Sequence, residues 1–148
     1  MRVQPIEQYP PLQEGVNDDM PRAVTISSMA FRLLWIFNLV VGILVAASIL
    51  DTSGMTWTDT HMLVGILLVA LLWFLGVALG LQTKSVIFPL VTFVVGLLIP
   101  IIGIAQTIPN GGAGQYVLQG LHVVLILAAI ALAEVCASRY KRALPKTI

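Results

Sequence analysis

Charge is scarce in this chain. Asp, Glu, Lys and Arg make up 10% of its 148 residues, against about 25% in a soluble domain. That shortage excludes a water-facing globular surface. The formal net charge of +1 leaves no basic face for nucleic acid. A single cysteine, Cys136, excludes an internal disulfide and any thiolate metal cluster, and it reads as a small apolar residue. No nucleophile–base set, phosphate-binding loop or paired carboxylate is present, so a soluble enzyme has no support. Histidine is equally scarce: His61 and His122 are the only two.

What remains is apolar. Hydrophobic residues make up 58% of the chain, and mean hydropathy is +0.96. A membrane-spanning helix needs about 20 apolar residues to cross ~30 Å of hydrocarbon. Four runs qualify: 29–50, 60–81, 86–105 and 116–138. In lipid every backbone group must be satisfied within the segment, so each run is expected to be a helix. Pro89 suits the first turn of the third run, and Pro100 is expected to kink it. The connections are short, which favours antiparallel neighbours. The expected fold is an all-α integral membrane protein, an up-down-up-down bundle of four transmembrane helices over residues 28–140. Residues 1–27 carry Pro5, Pro10, Pro11 and Pro21 and read as an extended arm. Residues 141–148 read as a basic tail.

Lys and Arg give the expected orientation. Arg139, Lys141, Arg142 and Lys146 lie at the C-terminal end, Lys84 in the second connection, and Arg2 and Arg22 in the arm. The first and third connections have neither residue. The expectation is a multi-pass protein of the cell membrane with both termini in the cytoplasm. Trp57 and Tyr116 would then mark the outer interface and Tyr140 the inner one.

Against this background the two histidines draw together. His61 lies four residues after Trp57 and His122 six after Tyr116, so their depths differ by only ~3 Å. They open the second and fourth helices, which run parallel and lie diagonally in such a bundle. Imidazoles from diagonal helices can reach one metal from opposite sides, with a flat macrocycle between them. The expectation is one bis-His haem b near the outer face. His61 and His122 would be the metal ligands. Zinc or copper would want a third ligand. Gly65, one turn from His61, would admit a porphyrin edge. Gln119, one turn from His122, would hold a propionate or orient the imidazole. Each of these two also has a plain reading, close helix packing for Gly65 and an interfacial polar group for Gln119. Glu134 and Arg32 are expected to form a structural ion pair, and Gly76 and Gly80 offer a surface for helix association.

His61 sits in Thr58-Asp59-Thr60-His61-Met62, and His122 in Leu118-Gln119-Gly120-Leu121-His122, 61 positions later. This arrangement resembles one half of a haem A synthase and overlaps with b-type membrane cytochromes. The resemblance covers about residues 28–140. It implies a single four-helix bundle with a haem-ligand His at the outer ends of its second and fourth helices. In that family a Glu stands three residues before the second-helix His and an Arg just after it. Thr58 and Met62 stand there in this chain, and the family's outer-loop cysteine pair is absent. The resemblance therefore reaches haem binding and stops short of oxidising a haem methyl. Three functions are expected to compete: an electron-transfer haem protein, a haemless subunit of a larger respiratory or photosynthetic complex, and a synthase-type enzyme. A homodimer or a larger redox complex is the expected assembly.

Overall fold

A computed structural model describes residues 19–47, 49, 57–106 and 112–144. It contains four helices: α1 Asp19–Ala46, α2 Trp57–Thr83, α3 Ile87–Ala105 and α4 Ala113–Ala143. All four are long and apolar enough to cross a membrane. Over the described residues the chain is thus an all-helical, four-helix membrane bundle of antiparallel neighbours. Both described ends and the α2–α3 turn lie at one end, called here the terminal end. The C-terminal ends of α1 and α3 and the N-terminal ends of α2 and α4 lie at the other.

The helices are longer than the apolar runs. Residues 19–27, expected in the extended arm, form the first turns of α1. Pro21 is tolerated because first-turn N–H groups need no partner within the helix. The rest of the arm and residues 145–148 of the tail lie outside the described residues. Trp57 to Asp59, expected in a connection, open α2. Helix α3 continues through Pro100.

The α2–α3 turn has a definite mechanism. Lys84 adopts φ 53°, and the Ser85 N–H donates to the Gly80 carbonyl at 3.0 Å. That bond, with a left-handed residue just past the last helical one, closes the end of α2.

Helix α2 touches the other three helices and α4 does too, whereas α1 and α3 do not meet among the described residues. The cross-section is a rhombus with α2 and α4 on its short diagonal. The core occupies the terminal half. Leu72, Leu75 and Leu79 of α2 meet Ala129, Ala133, Cys136 and Tyr140 of α4, with Val24 and Phe31 of α1 alongside. Small residues on α4 allow this close diagonal approach. Tyr140 is 3% exposed, so it belongs to the core and does not face the membrane interface as expected. Gly76 is filled by Thr92 and Gly80 by Pro89. Both glycines are therefore used to seat α3 within the chain, and neither is free to pair with a second copy.

Candidate functional site

The opposite half buries fewer side chains, and it holds both histidines. In an α-helix the side chain of residue i+4 flanks the carbonyl of residue i. The chain shows this directly: the hydroxyls of Thr25, Thr83 and Thr92 donate to the carbonyls of Pro21, Leu79 and Phe88, each four residues back. A glycine at i+4 leaves that flank open to a group from another helix. Gly42 does so for the Asn38 carbonyl. His61 of α2 occupies the gap, with Nδ1 at 3.1 Å from the Asn38 carbonyl oxygen. A Cβ at Gly42 would lie 2.8 Å from Cε1 of His61 and 3.2 Å from its Nδ1.

The second histidine repeats the arrangement. Gly103 of α3 follows Ile99 by four residues, and His122 of α4 packs on it, 3.3 Å from where a Cβ would stand. The ring also interacts with the Ile99 backbone. This approach is looser than that of His61, because Nδ1 of His122 is buried without a hydrogen bond of good geometry. In both cases the glycine precedes the histidine by 19 residues and the carbonyl precedes it by 23. One offset of 61 carries Asn38 to Ile99, Gly42 to Gly103 and His61 to His122. The same offset carries Leu72, Leu75 and Leu79 to Ala133, Cys136 and Tyr140, which face them across the core. The two hairpins are therefore structural repeats about a pseudo-two-fold axis that runs between α2 and α4. The sequence hinted at this only through a histidine near the start of each of these helices.

The chemistry of the donors can now be stated. A carbonyl oxygen only accepts, so Nδ1 of His61 carries the proton and Nε2 keeps its lone pair. Histidines that bind metals through Nε2 commonly anchor Nδ1–H in this way. Nδ1 of His122 faces the Ile99 backbone in the same sense, without a hydrogen bond of good geometry. The two rings lie close enough for the charge on one to act on the other. Among the described residues, no group of three or more His, Cys, Asp or Glu side chains could hold a metal ion. Two imidazoles fall short of a zinc site. They match the two axial positions of a haem iron, whose other ligands belong to the porphyrin.

The remaining candidates divide. Gly65 is half-buried and faces Asn38, with a Cβ position 3.8 Å from Asn38 Nδ2. There is room for a methyl there. Gln119 is exposed on the outside of α4. Gln115, one turn earlier, points inward and donates from Nε2 to the Gln106 carbonyl at 2.8 Å, while its Oε1 is buried without a partner. Asn38 is 8% exposed, and its Oδ1 is likewise unpartnered. Sequence reasoning missed Asn38, Gly42, Gly103 and Gln115. The equal 19-residue glycine spacing was the available signal for two of them. The expected ion pair is present: Arg32 Nε donates to Glu134 Oε1 and Nη2 to Oε2, both at 2.6 Å.

No family model matches the chain, and neither a curated protein nor a solved structure matches it significantly. The resemblance to the haem A synthase bundle thus rests on the histidines and their helices alone.

Proposed function

We propose that this protein is a membrane haem b protein that transfers electrons, with His61 and His122 as the axial ligands of one haem. The observation that carries the reading is the equivalence of the two seats. Two imidazoles at corresponding positions, each packed on a glycine four residues after a carbonyl, hydrogen-bonded for His61 and looser for His122, suit a single group held from both sides. Haem would supply a one-electron couple there. The chain's own residues do the rest. The Asn38 carbonyl holds the His61 tautomer that leaves Nε2 free. Gly42 and Gly103 keep α1 and α3 clear of side chains at the level of the rings. Asn38 and Gln115 bring unpartnered oxygens to the same half of the bundle, where they suit an NH or OH donor or an ordered water. The charge bias supports a cell-membrane protein with cytoplasmic termini, which puts the haem near the outer face, within reach of an extracytoplasmic acceptor. Oxidation of the haem itself is not part of the proposal, because Thr58 and Met62 offer neither an acid nor a base beside His61.

The test is the absorption spectrum of protein purified from haem-replete cells. A Soret band that disappears in both His61→Ala and His122→Ala is expected. Absence of the band in the wild-type protein, or its survival in either variant, would sink the reading. In that event the haemless subunit of a larger membrane complex takes its place.

A further inference from the structure

The pseudo-two-fold gives every position on the α2/α3 face a counterpart on the α4/α1 face. Trp73 and Phe93 stack on the first face with ring centroids 5.0 Å apart. Their counterparts at the 61-residue offset are Glu134 and Arg32, the ion pair. The same slot thus holds two aromatic rings on one side of the bundle and two charges on the other. Around it the contrast continues: Val86 and Val77 of the apolar face correspond to Thr25 and Ser138. Phe93 is 49% exposed, as suits a side chain against lipid. The Arg32 and Glu134 side chains are 52% and 44% exposed.

A charge pair in that position is poorly matched to hydrocarbon. Arg32 lies ten residues beyond Arg22, and Glu134 five residues before Arg139. Those intervals are ~15 Å and ~7.5 Å along their helices. Ionisable side chains at such depth face protein or a polar cavity far more often than lipid tails. The seam they bridge is also the least closed of the bundle. Where Gly76 and Thr92 let α2 and α3 approach closely, the counterparts are Ala137 and Phe31, which hold α4 and α1 apart.

We propose that two copies of this chain pack through their α1/α4 faces about a two-fold axis parallel to the bundle. Charge complementarity selects a second copy as the occupant. The pair runs sideways across the face, from Arg32 on α1 to Glu134 on α4. A two-fold along the membrane normal reverses that direction while keeping the depth. Each Arg32 then meets the Glu134 of the other copy, and four charges alternate with no net charge. An isologous interface demands self-complementarity of this kind, and polar groups between apolar helices favour association. The aromatic α2/α3 face stays with lipid.

Charge reversal tests this in the full chain. Arg32→Glu leaves two acids on the face, and Glu134→Arg leaves two bases. Copies carrying different tags are co-expressed and captured from mild detergent. Wild-type copies are expected to capture one another. Each reversal variant should lose at least ten-fold of its self-capture, and the two variants together should recover the wild-type level. Recovery shows that both still fold. A second measurement needs no charge change. In a Cys136→Ala background, Met29→Cys on the proposed face should form an intercopy disulfide in membranes. Leu90→Cys, its counterpart on the aromatic face, should not. Met29 and Leu90 are 57% and 62% exposed, so reactivity alone does not separate them. A monomeric wild-type protein, reversal variants that capture themselves undiminished, or cross-linking through Leu90→Cys would overturn the proposal.

Discussion

Two glycines give the histidines their places. At Gly42 the missing Cβ uncovers a main-chain oxygen and makes room for a ring in the same step. Gly42→Ala is therefore expected to push His61 out of its seat and break the bond to Asn38. Losing an anchor of this type costs about 10–100-fold in metal affinity. Gly103→Ala, where the contact is 3.3 Å, should cost less, and Gly65→Ala, where a methyl would meet Asn38 at an ordinary 3.8 Å, should be nearly silent. Haem content per protein, read as the Soret-to-280 nm ratio during titration, would rank the three. An equal loss in all three would show that helix packing, and not the seats, is being measured. Cys136 belongs to this scale too. It is 0% exposed among Leu and Ala side chains, so it should resist a membrane-permeant thiol reagent until the bundle unfolds. Labelling of the native protein would contradict the core described here.

Helix ends and helix seams act at the next scale. The turn between α2 and α3 puts Lys84 in a left-handed conformation where glycine is the usual residue. An L side chain costs about 1–2 kcal/mol there, while a glycine gives back part of that through the entropy of the unfolded chain. Lys84→Gly is thus expected to stabilise the bundle by on the order of 0.5–1 kcal/mol. Unfolding in detergent monitored by circular dichroism would measure it, and a lower midpoint would refute the strain argument. The seam between α2 and α3 predicts the opposite sign. A methyl at Gly76 would collide with Thr92, which is 0% exposed and cannot step aside. Overpacking of this kind costs about 1–3 kcal/mol, so Gly76→Ala should lower the midpoint clearly. Arg139 supports the same corner, with its guanidinium 5.4 Å from the centre of the Phe88 ring.

At the scale of the whole molecule, the proposed haem would join the two hairpins. If both histidines hold one group, removing either already releases it. The double variant His61→Ala/His122→Ala should then be no worse in haem content than either single variant, which is the non-additivity of partners in one site. Additive losses would instead place two independent groups in the bundle. The repeat also explains the division of labour along the axis. At the terminal end, leucines of α2 fit against small residues of α4 and close the core. At the other end both helices carry histidine, and α1 and α3 remain apart.

Four spanning helices, their order and the shared level of two histidines followed from the sequence itself, because lipid permits few backbone solutions and a 20-residue apolar run reports its own length. Helix ends were less legible: α1 begins ten residues before its apolar run, since Asp19 to Ser28 can be helical without being apolar. The Arg32–Glu134 pair was also readable, as opposite charges at one depth in an apolar chain have few other partners. Tertiary structure alone decided which glycines serve which purpose. Gly76 and Gly80 seat α3, Gly42 and Gly103 seat imidazoles, and spacing along one helix cannot say what stands opposite on another. It also decided that Gln115 points inward and Gln119 outward, because the rotation of α4 is set by its contacts with α2 and α3. The repeat between hairpins emerged for the same reason: side chains differ at most equivalent positions, and the correspondence shows mainly in where they pack.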